Sequence, residues 1–153
     1  MNKVCKVILL CLIALTVTAC SKPEREIKAG RYGMMSDDTP QYAALAFIMA
    51  VYEDKTLDSA IEMSSDKFAR LLKSYHTNSG VQRHILNLRL TEMTVEPVSG
   101  GFQGMTEFKK EATVDVKIIG TYNHKKIIQL KTISMIRESG DWKIVGVSNT
   151  ALR

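Results

Sequence analysis

Residues 112–149, "ATVDVKIIGTYNHKKIIQLKTISMIRESGDWKIVGVSN", carry the pattern that decides the fold. At the start of this stretch every second side chain is apolar: Ala112, Val114, Val116 and Ile118. Such alternation is typical of a strand with one buried face. The polar stretches "TYNHKK" and "ESGD" interrupt the pattern and are typical of tight turns. The segment therefore predicts three antiparallel strands joined by two hairpins.

The residues before this segment predict one more strand. Leu86, Leu88 and Leu90 alternate with polar residues, and the apolar phase then moves to Met93 and Val95. A slip of one residue in the phase of a strand predicts a β-bulge. The glycine-rich stretch "SGGFQGMTE" that follows is predicted to be the loop leading to the next strand.

The chain before residue 85 has the period of helices. The stretch 39–54, "TPQYAALAFIMAVYED", predicts a helix covered on most sides, with Thr39 or Asp38 as its cap and Pro40 at its first position. A short helix is expected from Thr56. A third, from Ser64 or Ser65, has an apolar stripe that we expect to be buried, and "NSG" at 78–80 is expected to end it. The stripe consists of Phe68, Leu71, Leu72 and Tyr75. Three helices followed by a meander predict an α+β domain over residues 39–153, with the helices on one face of a curved antiparallel sheet.

The N-terminus has the layout of a secretory signal peptide. Lys3 and Lys6 precede an uncharged apolar run from Val7 to Ala19. A helix that crosses a bilayer needs about 20 apolar residues, so this run favours a cleaved signal, residues 1–19, over a permanent membrane span.

The end of this signal resembles the lipobox of bacterial lipoproteins. Val17, Thr18 and Ala19 give one aliphatic and two small residues before Cys20, whose thiol would receive a diacylglycerol through a thioether. The alternative is an ordinary signal with a chance cysteine. Ser21 after the cysteine, where aspartate would favour inner-membrane retention, favours the outer membrane in a Gram-negative host.

The positions of the cysteines and the net charge argue against several classes of protein. Two of the three cysteines, Cys5 and Cys11, lie in the predicted signal peptide, so with Cys20 lipidated no thiol remains for a disulfide or a metal site. Residues 20–38 are predicted to be the lipidated N-terminus and a flexible linker. Without Lys3 and Lys6 the formal charge falls from +5 to +3, which does not indicate a nucleic-acid binder.

The stretches "TPQYAALAFIMAVYEDKTLDSAIEMSSDKF" and "ESGDWKIVGVS" resemble the nuclear transport factor 2-like superfamily and its small lipoproteins of unknown function. Gly140, Trp142 and Lys143 match the start of the closing strand in that family. The resemblance implies a cone-shaped fold with a pocket between the sheet and the helices. In ketosteroid-isomerase-like relatives, acidic, tyrosine or histidine side chains act in this pocket.

Four side chains of those types are candidates for such a pocket: Tyr42, Tyr52, His84 and Asp115. The tyrosines have helical positions suited to the core, with hydroxyls reaching an edge. His84 lies at the junction of helix and sheet. Asp115 has the phase opposite to its apolar neighbours, which favours solvent exposure over general-base work.

The sequence contains no set of motifs that indicates catalysis. No pair of histidines has metal-ligand spacing and no glycine motif has a phosphate-binding context, so we expect no catalytic residue, metal or cofactor. Lysines are frequent around the predicted hairpins, at positions 109, 110, 117, 125, 126 and 131. They would keep sheet edges soluble or meet headgroups, acidic glycans or a partner.

These observations predict a periplasm-facing lipoprotein that binds a small apolar ligand or an envelope protein without catalysis. Two alternatives remain open at this point. One is a small isomerase or hydrolase that uses His84 or Asp115, and the other is an accessory subunit of a secretion or envelope machine.

Overall fold

The structure, a computed structural model, describes residue 35, residues 37–103 and residues 110–150. Within them, four helices precede four strands. The helices are α1 (Pro40–Glu53), α2 (Asp58–Glu62), α3 (Asp66–Ser74) and α4 (Asn78–His84). The strands are β1 (Thr91–Gln103), β2 (Glu111–Tyr122), β3 (Lys125–Glu138) and β4 (Asp141–Asn149). The predicted signal peptide, Cys20 and most of the predicted linker lie outside the described residues.

The four strands form one antiparallel sheet in the order β1-β2-β3-β4. The two predicted hairpins are confirmed. Their turns contain residues in the left-handed backbone region, with φ of 48° at Asn123 and 95° at Gly140. The predicted bulge is also confirmed, because the pairing of β1 with β2 shifts register between Thr91 and Thr94.

One face of the sheet is the core face. The alternation that predicted β2 is confirmed, since its buried residues pair with buried residues of β3, as Val114 does with Ile133. Helix α1 lies against this face. Four of its fully buried residues follow helical spacing: Ala44, Phe47, Ile48 and Val51. Burying a side chain as large as Phe47, Ile48 or Val51 stabilises the fold by about 1.5–3 kcal/mol, so this helix–sheet contact anchors the domain.

Both ends of α1 have hydrogen-bond partners outside the helix. At its start Thr39 is the cap, as predicted, and its Oγ1 accepts from the backbone N–H of Tyr42 at 3.3 Å. At its end the side-chain amide of Asn78 donates to the carbonyls of Ala50 (3.3 Å) and Asp54 (2.9 Å). Helix ends leave carbonyls without helical partners, so α4 supplies donors there; the carbonyl of Ala50 also accepts from the backbone N–H of Asp54.

The helical region differs from the prediction in three details. Residues 78–80 were predicted to end a helix, but they begin α4, because Thr77 Oγ1 accepts from the N–H of Gly80 at 3.1 Å and caps it. The short helix α2 begins at Asp58 rather than at Thr56. In the predicted stripe of α3, Phe68 and Leu72 are buried, whereas Leu71 is 42% exposed.

The predicted strand over residues 86–90 is wrong. The backbone N–H of Leu86 donates to the carbonyl of Val81, and that of Leu88 donates to the carbonyl of Gln82. These groups therefore turn back onto α4 and do not join a sheet. Leu86 and Leu88 are buried as the alternation predicted, so burial, not strand pairing, produced the pattern.

The α+β class is correct, but the predicted cone of the nuclear transport factor 2-like type is wrong. The described strands form a simple four-stranded meander, in which β1 and β4 are the edges. The short segment between α2 and α3 attaches to β4, where Ser65 N–H donates to the carbonyl of Ile144 at 2.9 Å. The result is a small two-layer fold, with helices packed on one face of an open sheet.

Candidate functional site

Two grooves lie at opposite ends of the sheet. We call the first the acidic groove, about 590 Å³ in volume, and its lining includes Asp37, Asp38, Glu62, Asp141 and Trp142. We call the second the basic groove, about 570 Å³, lined by Arg83, Asn87, Leu88, Arg89, Tyr122, Ile127 and Gln129. The first lies beside the β3–β4 turn and the second beside the β2–β3 turn, so the length of β3 separates them.

The acidic groove is the place where the chain enters the domain. The indole Nε1 of Trp142 donates to the carbonyl of Asp38 at 2.9 Å, and the guanidinium of Arg137 lies 5.7 Å from the centre of the indole ring. The ammonium of Lys143 donates to the carbonyl of Glu62 at 2.8 Å. These contacts tie the start of α1 and the end of α2 to the β3–β4 hairpin.

The basic groove is built from the segment after α4 and from the hairpin of β2 and β3. Arg83 lies in the last turn of α4, and Arg89 follows in the segment that leads to β1. Tyr122, which is 52% exposed, ends β2 on the face that carries the core. Two guanidinium groups and an aromatic ring therefore surround an apolar base formed by Leu88 and Ile127.

Two contacts fix the wall of the basic groove. The Tyr52 hydroxyl donates to the carbonyl of Leu88 at 2.6 Å, which holds the segment to α1. A Cβ added to Gly120 would lie 2.9 Å from both Cβ and Cδ1 of Leu90, closer than such atoms approach. The absence of a side chain at Gly120 therefore lets the segment pass close over β2.

The four predicted pocket residues do not share one site. Tyr42 lines the acidic groove. Tyr52 lies near the other end of α1, where burial raises the pKa of its hydroxyl. His84 is exposed and stacks on Tyr75, with ring centres 5.2 Å apart. Asp115 lies half-buried on the outer face of β2, where its Oδ1 accepts from Thr132 Oγ1 at 2.5 Å. Neither His84 nor Asp115 lines either groove.

Sequence reasoning missed the arginines of the basic groove and misjudged one lysine. Lys131 was grouped with solvated hairpin lysines, but it is 2% exposed and lies on the core face of β3. Its ammonium donates to Asn149 Oδ1 at 2.5 Å, and burial lowers the pKa of this group. The burial of Lys131 could have been predicted from the sequence, because Lys131 has the same strand phase as the buried Ile133 and Met135.

The described residues contain neither a cluster of metal ligands nor a membrane-spanning helix. Over residues 37–103 and 110–150, no group of three or more histidine, cysteine or acidic side chains is placed to hold a metal ion. In that same part of the chain, no helix has the length and apolar character needed to cross a membrane.

No protein family model and no curated protein matches this chain. Among solved structures, the chain is similar to the solution structure of a SEC-C motif containing protein from Rhodopseudomonas palustris. The two share 12% sequence identity with a TM-score of 0.52, over 77% of this chain and 84% of the other. At this identity the likeness concerns the fold alone.

This likeness corrects the resemblance drawn from the sequence. The α+β fold matches that of a SEC-C motif protein, and the assignment to nuclear transport factor 2-like lipoproteins is wrong. Trp142 and Lys143 suggested that assignment, but both serve contacts local to this fold, to Asp38 and Glu62 respectively. A closing strand that begins with tryptophan and lysine is thus not specific for a family.

Proposed function

We propose that this chain is a lipid-anchored, non-catalytic binding domain of a bacterial cell envelope that faces the periplasm. The anchor is Cys20, which ends the order aliphatic, small, small, cysteine at the close of an apolar run. Two or three acyl chains bind a bilayer firmly, whereas one binds it only marginally. Ser21 in the following position favours the outer membrane over the inner one.

The arrangement of the two ends of the sheet is the observation that carries the binding role. Asp38, through which the chain leads back to Cys20, contacts Trp142 at the β3–β4 end. The basic groove lies at the β2–β3 end, beside Tyr122. A domain tethered at the first end presents the second to the periplasm. The separate positions of Tyr52, His84 and Asp115 support binding over catalysis, which requires converging groups.

Labelling with radioactive palmitate in a bacterial host tests the anchor. We expect the unaltered chain to incorporate label and Cys20→Ala to incorporate none, because the thioether cannot form. Cys11→Ala is the matched control and should still be labelled, since residue 11 lies in the predicted signal peptide. Unchanged labelling of Cys20→Ala would refute the anchor.

Membrane fractionation of the same strains tests the location. We expect the chain in the outer-membrane fraction, and Ser21→Asp in the inner-membrane fraction, because an aspartate after the lipidated cysteine favours retention there. Ser21→Thr is the control that changes the residue without adding a charge. Recovery of all three chains in the inner membrane would contradict the proposed location.

A further inference from the structure

We propose that the basic groove binds a small organic anion, whose phosphate or carboxylate group pairs with Arg83 and Arg89 and whose apolar part lies on Tyr122, Leu88 and Ile127. This inference deepens the proposed function, on whose binding role it rests, by naming the class of ligand. The volume of about 570 Å³ falls within the range of small-molecule sites.

The two arginines have positive charge that the described part of the chain does not neutralise. Both are exposed, and no carboxylate of residues 37–103 or 110–150 forms an ion pair with either. The acidic residues near this end of the domain, Glu53, Asp54 and Glu92, do not line the groove. A guanidinium has planar donors that match the oxygens of phosphate and carboxylate groups, so an anion is the ligand these residues favour.

The amide side chains of the groove add uncharged donors. Asn87 and Gln129 make no side-chain hydrogen bond with the described residues. Asn87 has a φ of 49°, a left-handed conformation that asparagine tolerates better than most residues. Both amides can therefore contact a ligand without breaking an internal hydrogen bond.

The apolar surface between these polar groups favours a ligand that is more than a bare ion. The ring of Tyr122 is about half exposed, Leu88 is 7% exposed, and Ile127 is half-buried. An aromatic or aliphatic part of the ligand would cover this surface and gain from removing it from water.

The groove is held in shape before any ligand binds. Leu88 receives a hydrogen bond from Tyr52 at its carbonyl and donates its own N–H to Gln82 at 2.9 Å. Gly120 allows Leu90 to lie close to β2. A preformed site loses less conformational entropy on binding, so modest contacts suffice for measurable affinity.

The test measures binding of phenyl phosphate and inorganic phosphate by calorimetry, with the full chain purified in a non-ionic detergent. We expect phenyl phosphate to bind more tightly than inorganic phosphate. The double variant Arg83→Gln/Arg89→Gln should weaken the binding of phenyl phosphate about tenfold or more, since it removes both charged hydrogen-bond donors to the phosphate group. Arg70→Gln, an exposed arginine on α3, is the matched control and should bind like the unaltered chain.

A second variant and a second probe separate the possible outcomes. Tyr122→Ala should bring the affinity of phenyl phosphate closer to that of inorganic phosphate, because Leu88 and Ile127 remain. Vesicles of phosphatidylglycerol, compared with phosphatidylcholine, show whether the phosphate group can belong to a lipid. Binding that is absent with every probe, or that the double variant leaves unchanged, would overturn the proposal. Calorimetry does not depend on the lipid at Cys20, so such a failure is distinguishable from failure of the anchor.

Discussion

Lys131 is a buried cation whose environment sets a pH dependence of stability. It lies on the core face of β3, and its ammonium contacts the amide oxygen of Asn149 rather than a carboxylate. Burial lowers its pKa from the usual 10.5, so between the lowered value and 10.5 the unfolded chain binds more protons than the folded one. The free energy of unfolding contributed by this group therefore rises with pH across that window.

Lys131→Met tests this dependence, since methionine fills similar volume without a charge. We expect the unaltered chain, relative to Lys131→Met, to gain stability as the pH is raised towards 10.5. Urea unfolding followed by the fluorescence of Trp142, the single tryptophan, measures both. Lys126→Met, an exposed lysine on the same strand, is the control and should keep the rise. Parallel pH profiles for the unaltered chain and Lys131→Met would contradict this account.

The test compares the pH profile of stability of the unaltered chain with that of Lys131→Met, because a second buried group, Tyr52, changes stability with pH in the opposite direction. Burial raises the pKa of Tyr52 above its usual 10.0. Above that pH the unfolded chain loses the proton first, so this group lowers stability as the pH rises. Lys131→Met retains Tyr52, and the subtraction removes its contribution.

Gly120 allows a close approach that other residues would prevent. A Cβ there would lie 2.9 Å from Leu90 and 3.2 Å from the carbonyl oxygen of Thr91. We expect Gly120→Ala to lower the free energy of unfolding by about 1–3 kcal/mol, as overpacking does. Gly146→Ala in β4 is the control, because a Cβ there meets nothing within 4 Å. Equal urea midpoints for the two variants would show that the wall of the basic groove accommodates the added Cβ without loss of stability.

Residue-level features were predictable where they follow the phase of a strand. The alternation of Val114 and Val116 with Asp115 correctly separated the two faces of β2. The same argument would have placed Lys131 on the core face, but lysine is so rarely buried that composition outweighed phase. The role of Gly120 could not be predicted from the sequence, because it depends on contact with Leu90, which lies about thirty residues earlier in the chain.

At the scale of elements, α4 acts as the cap of α1. The side-chain amide of Asn78 donates to carbonyls at the end of α1, and the amide of Gln82 donates to the carbonyl of Val51 at 3.0 Å. We expect Asn78→Ala to lower the free energy of unfolding by about 1–2 kcal/mol, since two carbonyls lose a donor. Ser79→Ala, next in the same helix, is the control and should change stability by less than about 0.5 kcal/mol. Urea unfolding that ranks the two variants equally would refute the capping role.

Helices and strands were predicted correctly where the residues that determine them lie within the element itself. The helix from Pro40 was correct because its cap, proline and apolar run all lie within it. Residues 78–80 were misjudged because "NSG" is typical of a helix end, whereas here Thr77 caps a new helix. The false strand over residues 86–90 arose because the burial of Leu86 and Leu88, with exposed residues between and beside them, gives the same period as a half-buried strand.

At the scale of the whole molecule, neither groove could be predicted from the sequence. The basic groove joins residues 83–89 to residues 122–129, which the hydrogen bond from Tyr52 to Leu88 and the close approach of Leu90 to Gly120 bring together. The acidic groove joins Asp38 to Trp142, two residues that lie 104 positions apart in the sequence. The sequence indicated Tyr52 and His84 as candidates from their side-chain types. A binding site, however, forms where segments that are distant in the sequence lie together in the fold.

The position of the chain's entry predicts how the anchored domain is oriented. The chain enters beside Glu138 and Trp142, while His124 lies at the other end of β3, whose length of 14 residues spans about 45 Å. If the predicted linker from Ser21 to Asp38 is a flexible coil, its end-to-end distance is roughly 25 Å. If Cys20 is anchored, the β3–β4 turn therefore stays closer to the bilayer than the β2–β3 turn.

Fluorescence quenching by nitroxide-labelled lipids measures this difference. Glu138→Cys and His124→Cys each give the processed chain one free thiol for a fluorophore, because Cys5 and Cys11 belong to the predicted signal peptide. We expect stronger quenching at residue 138 than at residue 124 in vesicles that carry the lipidated chain. The control is each labelled chain produced from residue 21 onward, without the signal peptide and Cys20; it should show little quenching at either position, since nothing then holds the domain to the surface. Equal quenching at both positions of the lipidated chain would show that the linker lets the domain turn freely, and stronger quenching at residue 124 would show that the basic groove faces the membrane.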